Sequence, residues 1–334
     1  MGRLNKVLWF AVLLGPAACG DDSRGSLFAA TEPGDSLGET GPSDGDETPP
    51  SDALDLGTAE EGQADGNAEA GLDPGCDKVD LLFVIDDSIS MAGEQANLIA
   101  SFPEFIAGIQ SQIDGASSYH VGVVTTNAYA FNQPGCREVG ALVTETGGAS
   151  SSAQVCGPFA AGRYMTEADD LDAAFACTAQ VGIDGPTDER PMQALTIALG
   201  PAHAGAGACN EGFLRKDALL VVVVITDEED DPFEFYGELQ GSPGDPLDWF
   251  DAVVDAKGLE TNAAILTILG GQPGNVCPAP SGVDGAEDAP RLREFTDLFT
   301  HGYLGDVCAA SYGPFFAEAI AVVDSACAGF EPIP

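Results

Sequence analysis

The sequence predicts an α/β fold with a doubly wound, mostly parallel central sheet, helices on both faces of that sheet, and stabilising disulfides. Two patterns predict the sheet. After Cys76, short apolar runs alternate with segments whose apolar residues recur every three or four positions. The apolar runs are nearly continuous, as in strands that are buried on both faces. Alternation of such strands with amphipathic helices is typical of a parallel sheet between two helix layers.

Four strands and five helices are predicted in this part of the chain. The strands are predicted over residues 79–85, 120–125, 219–225 and 264–269. The first helix is predicted from apolar residues that share one helical face, namely Leu98, Phe102, Phe105, Ile109 and Ile113. The other helices are predicted over residues 192–199, 249–256, 292–299 and 315–323. Ligands of doubly wound sheets bind beyond the carboxyl ends of the strands, so we expect functional residues directly after the strands.

The first 18 residues are predicted to be an export signal. Arg3 and Lys6 precede an apolar run from 7 to 14, which is too short to span a bilayer, and small residues then lead to Cys19. This ending resembles a bacterial lipoprotein signal, although Pro16 stands where that family usually carries Leu. The resemblance implies that Cys19 is lipidated and anchors the protein at the bacterial outer membrane or cell surface. Ordinary signal cleavage without a lipid is the alternative.

Residues 20–75 are predicted to form a disordered acidic linker. They contain 15 acidic residues against the single base Arg24 and almost no large apolar side chains, so they have too little apolar surface to form a core. We therefore divide the chain into a signal (1–18), a lipidated cysteine with its linker (19–75) and one domain (76–330).

The strongly acidic composition excludes one class of partner. The chain has 334 residues and a formal net charge of -42, from 12 Lys and Arg against 54 Asp and Glu. Nucleic acids and anionic lipid surfaces are repelled by such a charge, so a partner held through its phosphates is excluded. The expected membrane contact is through the lipid anchor alone.

Apart from Cys19, the cysteines form an even set that is expected to pair. They are Cys76, Cys136, Cys156, Cys177, Cys209, Cys277, Cys308 and Cys327. In an exported domain such a set is typical of disulfides rather than of a zinc site, and no C-x-x-C pair occurs. The connectivity does not follow from sequence; Cys76 with Cys327, at the two ends of the folded part, is one candidate pair.

Residues 127–165 are expected to be an insertion that either shapes partner specificity or is a disulfide-closed decoration.

A D-x-S-x-S motif follows the first predicted strand. It consists of Asp86, Ser88 and Ser90, directly before the first predicted helix. Residues 80–91 resemble the opening of a von Willebrand factor A domain with its metal-ion-dependent adhesion site. At the end of the most apolar strand, Asp227 looks like the second metal-site aspartate of that family.

A third element of the resemblance lies between these two strands. Thr187, in the loop before the helix predicted over 192–199, stands as the metal-site threonine of the family would, with about two extra residues before the Ala-Leu pair of that helix. Thr178 and Thr196 are poorer candidates. The resemblance covers residues of about 76 to 328. It implies a metal site formed by Asp86, Ser88, Ser90, Thr187 and Asp227.

The donor atoms themselves favour a hard divalent cation with oxygen ligands. Mg²⁺ prefers near-octahedral oxygen ligands and retains several waters, which suits hydroxyls combined with carboxylates that act partly through water; Mn²⁺ or Ca²⁺ are alternatives. Neutral direct ligands leave the ion short of electrons, so it accepts a carboxylate from outside the protein. The resemblance implies that this carboxylate belongs to an extracellular or periplasmic protein or polymer, and that the chain is a binding and adhesion module, not an enzyme.

Simpler interpretations of the same residues stay open. Asp86 could cap the following helix, with the two serines in its first turn. Asp227 could belong to a solvated acidic loop, because residues 228–231 are all acidic. A metal-dependent hydrolase would need a general base, and only Asp87 or Glu228 lies near enough in sequence. A passive acidic surface protein is the third function class.

Overall fold

A six-stranded sheet lies at the centre of our computed structural model, which describes residues 76–113, 116–232, 234–235, 238–270, 277–278 and 285–333. The strands in these ranges are β1 (Lys78–Ile85), β2 (Ser118–Thr125), β3 (Met165–Thr166), β4 (Leu219–Ile225), β5 (Glu234–Phe235), β6 (Glu238–Leu239), β7 (Ala263–Leu269) and β8 (Gly302–Asp306). The order across the sheet is β3-β2-β1-β4-β7-β8, while β5 and β6 pair separately. Neighbouring strands of the sheet are parallel except β3, which is antiparallel to β2.

Helices cover both faces of the sheet. They are α1 (Ala92–Gln112), α2 (Leu171–Ala179), α3 (Pro191–Leu199), α4 (Pro201–Ala204), α5 (Pro246–Lys257), α6 (Pro290–Asp297) and α7 (Gly313–Ala328), and a 3₁₀ turn spans Glu260–Asn262. Side chains of β1 alternate between two cores: Phe83 lies in the core that includes residues of α1, α2 and α7, whereas Val84 lies in the core that includes residues of α3, α5 and α6. Both cores consist of buried apolar side chains, so the sheet is buried on both faces, as its continuous apolar strands predict.

The predicted fold class is confirmed. All four predicted strands are present with bounds shifted by two residues or fewer, and the five predicted helices correspond to α1, α3, α5, α6 and α7. The helices α2 and α4, the edge strands β3 and β8, and the short strands β5 and β6 were not predicted. The β8 sequence, GYLGD, contains two glycines and only partly buried side chains over most of its length, so it has no apolar run that would indicate a strand.

All eight cysteines after Cys19 are paired. The disulfides join Cys76 with Cys327, Cys136 with Cys209, Cys156 with Cys177, and Cys277 with Cys308. The candidate pair Cys76–Cys327 is therefore present, and it links the start of β1 to the end of α7. Four disulfides are typical of proteins that fold in an oxidising compartment.

The insertion over residues 127–165 is packed against the domain. Leu142 and Val143 are buried in the two cores, and the Val143 N–H donates to the carbonyl of Val123 on β2 at 2.8 Å. Its two cysteines pair with residues outside the insertion, in α2 and in the segment between α4 and β4. The insertion is thus fastened to the scaffold at separate points rather than closed on itself.

The predicted signal, Cys19 and the acidic linker lie outside the described residues. Within the described ranges, no helix has both the length and the apolar character that crossing a bilayer requires.

Part of the acidic run after β4 is buried, and the expectation of a solvated acidic face is wrong for Glu229 and Asp230. Glu229 accepts hydrogen bonds from the N–H groups of Arg291 (2.7 Å) and Leu292 (3.4 Å) at the start of α6. Asp230 accepts from the N–H of Met192 (3.0 Å) at the start of α3. The first N–H groups of a helix have no partner within the helix, so these carboxylates satisfy them and tie the loop to two helices.

Replacing Asp230 by asparagine is expected to lower the free energy of unfolding by about 2–3 kcal/mol. The buried carboxylate also accepts from the N–H and the hydroxyl of Ser242, both at 2.6 Å, and an amide replaces one of its accepting oxygens by a donor. The measurement is equilibrium urea unfolding. Asp231→Asn, at the exposed neighbouring position, is the matched control and is expected to change stability by less than about 0.5 kcal/mol. Equal losses in the two variants would contradict this role of Asp230.

Candidate metal site

Asp86 and Asp227 lie at the switch point of the sheet. From β1 the chain continues to β2 on one side, and β4 lies on the other side. Asp86 directly follows β1, and its N–H donates to the carbonyl of Ile225, the last residue of β4, at 3.1 Å. Ligands bind in the crevice at such a point because the connections after the two strands diverge and leave it open.

The carboxylate of Asp86 is fully buried and held at both oxygens. Oδ1 accepts from the Ser88 N–H at 2.7 Å, and Oδ2 accepts from the Thr226 hydroxyl at 2.6 Å. Helix α1 begins at Ala92, and no side chain caps its first residue. The hydrogen bonds of Asp86 therefore do not support the alternative in which this residue caps α1. The hydroxyl of Thr226 orients this carboxylate, and no motif or spacing in the sequence predicts that role.

The hydroxyls of Ser88 and Ser90 lie side by side next to Asp227. Their Oγ atoms are 3.1 Å apart. Two ligands at right angles on a Mg²⁺ ion are separated by about 3 Å, since each lies about 2.1 Å from the metal. The carboxylate of Asp227 is hydrogen-bonded to the Ser90 side chain, and its Oδ1 is buried without a partner. Four of the five predicted metal-site residues thus lie together.

The loop that carries Thr187 is fastened to the first motif. The Gln95 side chain of α1 donates to the carbonyls of Asp86 (2.9 Å) and Gly182 (2.8 Å), and the Gly185 N–H donates to the carbonyl of Asp87 (2.9 Å). The Thr187 side chain is exposed in this loop. It lines an acidic cavity of about 370 Å³ together with six carboxylate side chains, those of Asp188, Glu189, Glu228, Glu229, Asp231 and Glu287.

Glu189 is a site residue that the sequence analysis missed. It is 3% exposed, and its Oε2 accepts from the Thr126 hydroxyl and, at 3.3 Å, from the Asn127 side chain. The Thr126 hydroxyl also lies 3.5 Å from Oδ1 of Asp87. No spacing or periodicity marks a glutamate in an acidic loop, because its burial depends on how the loop folds back on β2.

Carboxylates at this edge of the sheet repel one another. Burial, together with the charge of a neighbouring aspartate, raises the pKa of Asp86 to about 6 and that of Asp87 to about 7. Burial also raises the pKa of Glu228 to about 7, with Asp86 and Asp227 adding to the shift. The strongest charged neighbours of these groups are all acidic. A cation placed among them would relieve this repulsion.

In EDTA, the protein is expected to become more stable as the pH falls from 8 to about 5.5. The pKa values of Asp86 and Asp87 are higher in the folded than in the unfolded protein, so the folded state binds protons that the unfolded state does not. Stability is therefore lost as the pH rises through 6 and 7, by up to about 1.4 kcal/mol for each pKa unit of each group. Urea unfolding at several pH values measures this.

The control for the pH profile is Asp87→Asn. General repulsion across the acidic surface gives the same sign of pH dependence in both proteins. The variant should therefore keep the slope that comes from this repulsion, from Asp86 and from Glu228, and should lose only the part that Asp87 contributes near pH 7. Identical slopes in the two proteins would mean that Asp87 does not contribute.

One cluster of metal-binding residue types elsewhere among the described residues, and the histidine of β2, have structural roles. Cys277, Asp306 and Cys308 lie close together, but the two sulfurs are joined in a disulfide and are not the thiolates that bind metals. His120 lies near the start of β2, at the opposite end of the strands from Asp86, where its Nδ1 is 2.7 Å from the carbonyl oxygen of Phe213 and its ring packs on Tyr164. Neither the disulfide cluster nor His120 adds to the site at Asp86.

No protein family model matches the chain, and no curated protein matches it. Among solved structures it is similar to proximal thread matrix protein 1 from the mussel byssus, with 14% identity over 76% of this chain and 49% of that chain, at a TM-score of 0.37. It is also similar to a von Willebrand factor type A structure from Catenulispora acidiphila (18% identity, 74% and 42% coverage, TM-score 0.37). A third is the pilus adhesin SpaC from Lactobacillus rhamnosus GG (12% identity, 75% and 30% coverage, TM-score 0.38).

The chain spans about half or less of the length of these solved proteins. The fold assignment therefore rests on the strand order and the two helix layers described above, which make this chain a doubly wound α/β protein.

Proposed function

We propose that the chain is an exported, lipid-anchored binding module that captures a carboxylate of a partner protein or polymer through a bound divalent cation. The proposed ligands are Asp86, Ser88, Ser90, Thr187 and Asp227, and Mg²⁺ suits them best. The observation that carries the proposal is the paired hydroxyls of Ser88 and Ser90, 3.1 Å apart, beside a buried carboxylate oxygen of Asp227 that has no partner. The metal would supply a Lewis-acidic position for the visiting carboxylate.

The unpartnered Asp227 oxygen supports a cation at this place. A buried polar atom without a hydrogen bond costs about 1–3 kcal/mol, and more when it is charged. A buried aspartate of β1, by contrast, accepts hydrogen bonds at both carboxylate oxygens. Asp80, at the other end of β1, accepts from the Arg215 N–H at 2.6 Å and from its Nε at 2.7 Å. Of these two buried aspartates, only Asp227 retains a carboxylate oxygen without a hydrogen bond.

The acidic surface limits how an acidic partner approaches. Six carboxylates line the cavity beside the proposed metal, so the approach of a further carboxylate is repelled until it reaches the ion. We therefore expect little partner binding without a divalent cation. With the cation present, binding should strengthen as salt screens the repulsion.

Export and anchoring are part of the same proposal. The four disulfides support folding outside the cytosol. The lipid on Cys19 would anchor the module at the membrane, with the acidic residues 20–75 between the anchor and the domain.

The test loads the purified protein with Mn²⁺ and measures the relaxation of water protons. A Mn²⁺ ion with open positions exchanges bound water and relaxes the solvent strongly. Adding a short glutamate-containing peptide should displace that water and lower the relaxation rate, while the same peptide with glutamine should not. Ser88→Ala is the control variant, in which Mn²⁺ binding should weaken.

Each outcome separates the proposal from its alternatives. If the protein binds no Mn²⁺, the metal site is wrong and a passive acidic surface protein is the better interpretation. If Mn²⁺ binds but the glutamate peptide leaves the relaxation unchanged, capture of a carboxylate is wrong. Turnover of generic phosphate and ester substrates by the metal-loaded protein would favour the hydrolase instead.

A further inference from the structure

We propose that Glu189, rather than Thr187, supplies the ligand from the loop before α3. This inference rests on the proposed function, because it assigns one more residue to the same cation. It replaces one hydroxyl of the proposed ligand set by a carboxylate. Among the described residues no three carboxylate oxygens from different residues lie within 4.8 Å of one another, so at least one of Asp86, Asp227 and Glu189 would act on the cation through a water molecule. The assignment follows from how the loop is held, from the burial of its side chains, and from an oxygen atom that has no partner.

The path of the loop is fixed close to the D-x-S-x-S motif. The N–H of Gly182 donates to the Gln95 side chain at 3.1 Å, and the Gln95 amide group donates back to the Gly182 carbonyl. At Gly185 a Cβ atom would lie 2.6 Å from Asp87, so only glycine permits this approach. These two attachments bring the following residues of the loop against the carboxyl end of β1.

Of the two candidate residues, Glu189 points inward and Thr187 does not. The Thr187 side chain is exposed, whereas Glu189 is 3% exposed. Oε2 of Glu189 is held by the Thr126 hydroxyl and the Asn127 side chain, which both follow β2. A glutamate side chain is long enough to extend from the loop to the strand ends. The hydroxyl of an exposed threonine, in contrast, stays near the surface.

The other carboxylate oxygen of Glu189 is available to a cation. Oε1 is buried and makes no hydrogen bond, as is also true of Oδ1 of Asp227. The charged side chains that act on Glu189 are those of Asp86, Asp87 and Glu228, all of them negative. A buried carboxylate with an unpartnered oxygen and only like charges around it is costly, and a shared divalent cation removes that cost.

A third carboxylate changes the chemistry of the ion. Each added negative ligand raises the affinity for a divalent cation. It also supplies electron density to the ion, so that a partner carboxylate is bound less strongly than at a site with mainly neutral ligands. The inferred site therefore holds its metal tightly. It binds the partner's carboxylate less strongly, so that further contacts are needed to retain the partner.

The test compares Glu189→Gln with Thr187→Ala in the full chain, using calorimetric titration with MnCl₂. Glu189→Gln is expected to weaken Mn²⁺ binding by more than about a hundredfold, beyond the range for residues that only support a ligand, and Thr187→Ala by less than about twofold. Urea unfolding in EDTA provides a second readout. Without metal, Glu189→Gln should be more stable than the unsubstituted protein, because it removes a repelled buried charge; a merely structural glutamate would instead lose stability.

The results separate this inference from the proposed function. If Thr187→Ala weakens Mn²⁺ binding and Glu189→Gln leaves it unchanged, Glu189 is not a ligand, while the proposed site remains. If Glu189→Gln weakens binding but also destabilises the metal-free protein, Glu189 supports the loop rather than the ion, and the inference is overturned. If the unsubstituted protein binds no Mn²⁺, both the inference and the proposed function are wrong.

Discussion

Replacing Asp227 by alanine is expected to abolish the stabilisation of the protein by divalent cations. A ligand that binds only the folded state stabilises it by about 2.7 kcal/mol at a hundred times its dissociation constant. Asp227 contributes a buried carboxylate whose Oδ1 has no other partner and whose side chain is hydrogen-bonded to Ser90. Its loss should weaken Mn²⁺ binding by more than about a hundredfold, the upper range for residues that only support a ligand.

The measurement for Asp227→Ala is thermal unfolding with EDTA and with increasing MnCl₂. The unsubstituted protein should show a rise in Tm that grows with the concentration of Mn²⁺, and the variant should show none below millimolar concentrations. Asp255→Ala removes an exposed carboxylate of α5 and is the matched control; it should retain the full rise. An equal rise in Asp227→Ala would show that nonspecific binding to the acidic surface, and not the site, causes the stabilisation.

Those parts of the candidate site that depend on strand ends could be predicted from the sequence. An apolar run marks where β1 and β4 end, and neighbouring parallel strands end at the same edge of a sheet. The proximity of Asp86, Ser88 and Asp227 could therefore be predicted from the sequence alone. Glu189 could not be found in this way. It lies in a loop whose path depends on Gln95 and Gly185, and contacts between distant segments leave no periodic signal.

Charge along the sequence was a poor guide to burial. The run after Asp227 contains four consecutive acidic residues, which is typical of a solvated loop. Glu229 and Asp230 are nevertheless buried, because the first turns of α6 and α3 present N–H groups that need acceptors. These two carboxylates hold the loop in place just after Asp227. Structural residues and a candidate ligand therefore lie side by side in one acidic run. Composition alone does not distinguish the two roles.

Replacing Cys76 and Cys327 together by alanine is expected to lower the free energy of unfolding by about 5 kcal/mol. The disulfide joins residues 251 positions apart, at the start of β1 and the end of α7. Without it the unfolded chain gains the conformations that closure of this long loop excludes. Alanine is the suitable replacement because both cysteines are buried, at 1% and 3% exposure. Equilibrium urea unfolding under nonreducing conditions measures the loss.

The matched comparison is the double alanine variant of Cys156 and Cys177, which are 21 positions apart. The shorter loop predicts a loss of about 3 kcal/mol, so the two variants should differ by about 2 kcal/mol. Cys76 precedes β1, whereas Asp86 follows its other end. The stabilisation by Mn²⁺ should therefore survive in the Cys76 and Cys327 variant. Equal losses in the two double variants would mean that native-state contacts, rather than loop closure in the unfolded chain, determine what each disulfide contributes.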